Sequence, residues 1–188
     1  KKGDMDRAMR HFLRAVEIDP SLGDAYTNMG ALYIRMGRPA DAMSSLSKAI
    51  RINPYSVEAY YNLGMVYESL GRPDEAFNRY MKIVELNPGY SRAYQRLGWI
   101  SEAAGRYDEA ARFYAQALSI DPASPEIHVN LAGILLRGGK VDDAIGHYEK
   151  ALLLSPGIAA AHNGLGAALM SKGKAQEAIL HFQEAVRL

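Results

Sequence analysis

Three groups of residues in this chain have types and spacings that could do chemistry. Histidine is the commonest protein ligand for transition metals, and the five histidines stand at positions 11, 128, 147, 162 and 181. Adjacent carboxylates, Asp74-Glu75 and Asp142-Asp143 among them, are the raw material of acid–base work. Gly138-Gly139-Lys140 suggests a loop that cradles phosphate, but it lacks the G-x-x-x-x-G-K-[ST] spacing and no strand pattern precedes it. Which of these groups can act depends on the elements that hold them.

Composition narrows the classes. Hydrophobic residues make up 48% of the 188, enough for a real core. The formal net charge is +1, from 22 basic and 21 acidic residues spread along the chain. That balance lacks the basic stripe that neutralises a nucleic-acid backbone and the polybasic patch that holds a membrane surface. No apolar run approaches the roughly 18 to 20 residues that span a bilayer, so no membrane insertion is expected. The absence of cysteine removes disulfides and thiolate metal sites and leaves the redox compartment open, with the cytoplasm as the expected location.

The strongest signal is internal repetition. GRPADAM at 37, GRPDEAF at 71, GRYDEAA at 105, GKVDDAI at 139 and GKAQEAI at 173 follow one another every 34 residues, and GDMDRAM lies one period earlier at 3. Residues 57–90 show what one period encodes. Tyr60, Leu63, Gly64 and Tyr67 fall at i, i+3, i+4 and i+7, one face of a helix. Gly71 follows, where a residue free to take positive φ closes the last turn. Pro73 suits the first turn of a second helix, and Asp74 and Glu75 place negative charge at its positive dipole end. Ala76, Tyr80, Ile83 and Val84 form the second apolar face, and Asn87-Pro88 stops it, because a residue before proline resists helical geometry. Such a unit cannot bury its stripe alone and must stack on its copies. Small residues mark the contacts: Gly30, Gly64, Gly98, Ala132 and Gly166 in the first helices, and Ala8, Ala42, Ala76, Ala110, Ala144 and Ala178 in the second.

The pattern Tyr60-x2-Leu63-Gly64-x2-Tyr67, then Ala76-x3-Tyr80, then Pro88 resembles the tetratricopeptide repeat in identity and spacing. The resemblance covers a second helix at 1–22, repeats at 23–56, 57–90, 91–124 and 125–158, and a nearly complete one at 159–188. His128 and His162 depart from it at the first aromatic, Ser101 at the Tyr67 position and Leu46 at the Tyr80 position. It implies an all-α fold, a right-handed superhelical solenoid of stacked antiparallel helix pairs forming a single array over 1–188. Because Lys1-Lys2-Gly3 fall mid-repeat, the array is expected to belong to a longer chain.

The repeat disposes of most of the candidate chemistry. Gly138-Gly139-Lys140 becomes the ordinary inter-helix turn, and the paired carboxylates become helix starts stabilised by the dipole. His128 and His162 share one repeat position, and His11, His147 and His181 another. Equivalent residues in neighbouring repeats sit about 8–10 Å apart, too far to share an ion whose ligands lie near ~2 Å. Packing or surface histidines are expected, with no catalytic residue, no cofactor and no metal.

Tetratricopeptide arrays line their concave face with first helices. By that resemblance the groove carries a row Asn28, Asn62, Arg96, Asn130 that closes at Gly164. Flanking rows are Thr27, Tyr61, Gln95, Val129, Asn163 and Ala31, Met65, Trp99, Gly133, Ala167, and a further row is Asp24, Glu58, Arg92, Glu126, Ala160. The asparagine row resembles the ladders of the protein-modifying N-acetylglucosamine transferase and of kinesin light chains. An amide donates and accepts, so a line of them can hold an extended backbone regardless of sequence. Asn62, Arg92 and Arg96 also match three positions of the carboxylate clamp with which co-chaperones hold acidic C-termini. Thr27 and Ala31 stand where that clamp has lysine and asparagine, so what remains is a local cationic site for an acidic side chain or a chain terminus. Tyr61, Met65 and Trp99, the one tryptophan, add apolar contact, Trp99 as an anchor.

The expected function is a non-catalytic scaffold that binds an extended peptide or partner segment through Asn28, Tyr61, Asn62, Met65, Arg92, Arg96, Trp99 and Asn130. Two alternatives are the substrate-recognition domain of a larger enzyme, such as a protein glycosyltransferase, and a self-assembling array. The last has a sequence basis of its own, because no polar helix follows to cover Ile179, Phe182 and Val186, and solenoids need capping units with a polar outer face. End-to-end homo-oligomers should therefore appear in light scattering as the concentration rises. A strict monomer of undiminished solubility would contradict that expectation.

Overall fold

A computed structural model describes residues 2–188; Lys1, the first residue of the expected array, lies outside them. All regular structure among the described residues is helical. The chain divides into two compact units, Lys1–Pro88 and Gly89–Leu188. The first holds α1 (Lys2–Ile18), α2 (Gly23–Arg35), α3 (Pro39–Ile52), α4 (Val57–Ser69) and α5 (Pro73–Leu86). The second holds α6 (Ser91–Ala103), α7 (Tyr107–Ile120), α8 (Pro125–Arg137), α9 (Val141–Leu154), α10 (Ala159–Ser171) and α11 (Ala175–Arg187). The expected pairs α2–α3, α4–α5, α6–α7, α8–α9 and α10–α11 are the closest-packed neighbours within their units.

One turn is built five times. Gly37, Gly71, Gly105, Gly139 and Gly173 take φ between 67° and 74°, the left-handed region that costs glycine least. Each turn ends its helix with the same two backbone bonds. The Arg72 amide reaches the Tyr67 carbonyl at 2.9 Å and the Gly71 amide the Glu68 carbonyl at 3.0 Å, and 34 residues on Arg106 reaches Ser101 at 2.8 Å and Gly105 reaches Glu102 at 2.9 Å. This is the Schellman arrangement, which satisfies carbonyls that a helix end leaves without partners. At the other end of each repeat α5 stops at Leu86, and Asn87 before Pro88 takes an extended backbone, φ −140° and ψ 89°, as proline demands.

The small residues do what their spacing predicts. A Cβ added at Gly64 would stand 2.6 Å from the Tyr80 ring, at Gly98 2.6 Å from the Tyr114 ring and at Gly166 2.7 Å from the Phe182 ring, while at Gly30 it would meet Leu46 at 2.5 Å. Tyr80, Tyr114 and Leu46 have no exposed surface, so none can retreat. Ala132, at the same position of its repeat, already carries that Cβ. There the Tyr148 ring turns to α10 instead and fills the space a Cβ of Gly164 would need.

Two departures from the repeat pattern also find their reasons. Where Tyr33 and Tyr67 lie under the guanidinium groups of Arg38 and Arg72, at 4.8 and 4.9 Å, the third repeat has Ser101. That hydroxyl is fully buried and donates to Glu109 Oε2 at 2.7 Å, the same oxygen that accepts from Arg106 Nε at 2.7 Å. Leu46 simply replaces a ring with an aliphatic group of sufficient reach. Gly98→Ala should cost about 1–3 kcal/mol through overpacking against Tyr114. Gly146→Ala in α9, where a Cβ meets nothing within 4 Å, should instead stabilise by about 0.5–1 kcal/mol. Thermal or urea denaturation of the two variants checks both signs.

Candidate functional site

In the first unit α2 and α4 lie side by side and carry four of the expected residues. Asn28 is exposed, and Tyr61, Asn62 and Met65 are half-buried. The Tyr61 ring tilts against Tyr80 at 5.6 Å between centroids, so the anchor of the α4–α5 pair also supports a surface aromatic. Thr27 does not belong to this surface. It is 3% exposed, and its hydroxyl donates back to the Gly23 carbonyl at 3.2 Å, which corrects the expectation of a groove row beginning there.

In the second unit α6 presents Arg92, exposed in its first turn, then Arg96, half-buried one turn later, then Trp99. Trp99 is 49% exposed, a large aromatic surface that a core role would have hidden. Beside it lies a cavity of about 390 Å³ lined by Trp99, Glu102, Ala103, Tyr107, Asn130 and Arg137. Trp99 and Asn130 therefore line one cavity, while Arg92 and Arg96 lie outside it. The Asn130 amide is held from beneath: it bonds to the Tyr114 hydroxyl, which itself donates to Glu102 Oε2 at 3.0 Å. Burial, then the Glu102 charge, hold Tyr114 well above the ordinary phenol range, so this hydroxyl stays protonated and the chain Asn130–Tyr114–Glu102 keeps its direction. The next place in the row is Gly164, whose side-chain space Tyr148 takes, and there the row of amides ends for a steric reason.

Tyr107 and Arg137 were not singled out by their types. The Arg137 guanidinium lies over the Tyr107 ring at 5.5 Å, and both also line a larger cavity of about 940 Å³ between the turns at 104–106 and 138–140. The signal available in the sequence was Tyr107 itself, which stands where Pro39 and Pro73 start the equivalent helices.

Four of the five histidines are paired. His128 and His147 face each other across α8 and α9 with Nδ1 atoms 2.8 Å apart, and His162 and His181 do the same across α10 and α11 at 3.0 Å. The Nε2 atoms of His128 and His162 donate to the carbonyls of Pro122 and Pro156, both at 3.1 Å. That leaves their Nδ1 atoms as acceptors, so the partner Nδ1–H groups of His147 and His181 donate. Comparing equivalent positions missed this, because the pairing joins two different positions 19 residues apart, the spacing that also brings Tyr94 and Phe113 together at 6.4 Å. Among the described residues no three His, Cys, Asp or Glu side chains converge in a metal-binding geometry. Nor is any helix long and apolar enough to cross a membrane.

Burial first, then the facing His128 and Lys150, push His147 below the ordinary histidine value against the pull of Asp143. Burial and His162 lower His181 against Glu149 and Glu177, and Glu184 faces His162 from α11. A histidine whose folded pKa lies below its unfolded value stabilises the fold fully above the unfolded value, 6.5, and loses that contribution as pH falls below it. Replacing both pairs by the Tyr94–Phe113 combination (His128→Tyr, His147→Phe, His162→Tyr, His181→Phe) should flatten the fall in melting temperature between pH 7.5 and 5. An unchanged slope would show that the pairs do not carry it.

Tetratricopeptide repeat models match residues 23–88 and 55–123, 102–146, 129–188 and 1–22. No curated protein sequence matches. Among solved structures the chain is similar to MamA, with 26% identity over 85% of this chain and 93% of that one and a TM-score of 0.78. YrrB, described as a TPR protein with an unusual peptide-binding site, superposes with a TM-score of 0.82 at 20% identity, covering 94% of this chain and 91% of that one. PilF of Pseudomonas aeruginosa gives 0.76 at 24% identity, with 90% and 77% covered. With the helix pairs, the five glycine turns and the small-residue contacts in the register these models describe, the chain belongs to the tetratricopeptide repeat family.

Proposed function

We propose that the chain is a non-catalytic scaffold whose first-helix surface binds an extended peptide carrying at least one carboxylate. The observation that carries this reading is the half-exposed Trp99 beside a cavity that it shares with the anchored amide of Asn130. The 34-residue register runs unbroken through Pro88-Gly89, which supports treating 1–188 as one array. A peptide-binding site in a protein of the same fold, YrrB, supports the class of ligand. Within each unit, first helices spaced by about 8–10 Å and an extended chain rising about 3.3 Å per residue give roughly three peptide residues per repeat. Asn28, Asn62 and Asn130 bond the peptide backbone, each for about 1 kcal/mol net. Arg92 and Arg96 fix the register by charge, and Tyr61, Met65 and Trp99 supply apolar contact.

End-to-end association is a second reading with an observation of its own. On α11, Ile179 is 51% exposed, Leu180 66% and Val186 89%.

The groove is tested with peptides selected on the protein from a random dodecapeptide library, their affinities read by fluorescence anisotropy. Asn62→Ala should weaken every selected peptide by a similar factor of about five. Arg96→Glu should weaken acidic peptides most, by about tenfold, and the salt dependence that it removes should be steep in the unaltered protein. A selected peptide that keeps its affinity in the combined Asn62→Ala, Arg96→Glu, Trp99→Ala protein would place binding elsewhere.

A further inference from the structure

The cavity of about 940 Å³ between the turns at 104–106 and 138–140 is not a separate feature from the Trp99 surface. Both cavities are lined by Tyr107 and Arg137, so a segment lying against Trp99 and Asn130 has a continuous way over that pair into the larger space. Its floor is apolar, from Ile134 and Leu135, and its rim carries Arg106, Arg112, Arg137 and Lys140 against Asp108 and Glu109. Two of those charges are already spent on each other: Arg106 binds Glu109 at 2.7 Å, and the buried Ser101 holds the same carboxylate. Within the larger cavity Arg112, Arg137 and Lys140 then face Asp108, and Arg137 also shares the smaller cavity with Glu102; among the described residues none of the three has an ion-pair partner. The Arg137 guanidinium lies over the Tyr107 ring at 5.5 Å, and a guanidinium can bind a carboxylate with two parallel hydrogen bonds.

The arrangement belongs to this one junction of the second unit. One repeat on, Gly146 stands at the Arg112 position and Ser171 at the Arg137 position. There Lys172 closes an ion pair with Asp142, so no unpaired cluster of cations is left. We infer that the larger cavity is a second anchoring site for the bound segment, in which Arg112, Arg137 and Lys140 take the carboxylate of an acidic residue that has passed Trp99. This rests on the groove reading above and adds to it where one end of the ligand goes and what charge that end carries.

The random dodecapeptide library, displayed on phage, tests the two readings separately. Sequences selected on the unaltered protein should carry Asp or Glu at one end, distinct from the acidic position read by Arg92 and Arg96. Selection on Arg112→Glu, Lys140→Glu should reverse that end to Lys or Arg, and the originally selected peptides should lose about tenfold in affinity for this variant. Circular dichroism checks its fold, and Arg112→Gln, Lys140→Gln serves if the reversed pair is unfolded, the end preference then vanishing rather than reversing. The same end preference on both proteins overturns the second site and leaves the groove standing. A library from which nothing is enriched on the unaltered protein overturns both.

Discussion

Four of the five helix pairs depend on one contact, a bulky second-helix side chain seated directly on the backbone of a first-helix glycine too small to push it away. Tyr80 on Gly64, Tyr114 on Gly98 and Phe182 on Gly166 leave no room for a methyl group. The contact brings two helices close enough for a three-residue turn to join them, and that turn in turn requires the left-handed glycine. Its influence reaches the outer surface. The Tyr114 ring that packs on Gly98 ends in the hydroxyl that holds Asn130 and Glu102. Where Ala132 takes the glycine's place, the Tyr148 ring moves to Gly164 and displaces the next amide of the row. Core packing therefore decides which positions of the first-helix surface can carry an asparagine.

The fold was almost wholly readable from the sequence because its determinants are local and repeated. Gly71, Pro73 and Pro88 each act through the backbone of their own turn, so their meaning survives without knowledge of the tertiary structure. The site was readable only in part. Trp99 and Asn130 were placed together by counting repeat positions, whereas Thr27, one residue along from a groove position, bends back to its own helix and is buried. The histidine pairs and the Tyr107–Arg137 stack escaped because they join unlike positions of two helices. Such a pairing is set by the crossing of the helices and by side-chain reach, neither of which a 34-residue comparison contains. The clustered carboxylates were explained half correctly: Glu75 does start a helix, and it also binds Arg72, whose hydrogen bond lowers its pKa.

The surface combines interactions of different range. Amides, that of Asn130 held by the buried Tyr114, can offer short-range, sequence-independent bonds to a backbone, and the exposed tryptophan can give a contact that depends on shape. The cations act at longer range and are weakened by salt. On the proposed reading, a ligand would be held along its length by the first two and set in register by the third. This division would suit the proposed scaffold, accepting segments of varied sequence while reading one or two charges. The histidine pairs lie across the two helix pairs α8–α9 and α10–α11, and burial lowers the pKa of His147 and His181 within them.

The most direct measurement uses Trp99, the only tryptophan in the chain, as its own reporter. Its indole is half exposed in the free protein, so it should emit as a solvated tryptophan and be quenched by acrylamide. Saturation with a selected peptide should shift the emission to shorter wavelength and protect it from the quencher, because the ligand covers the ring. A peptide that binds with full occupancy and leaves both the emission and the quenching unchanged would contradict the account.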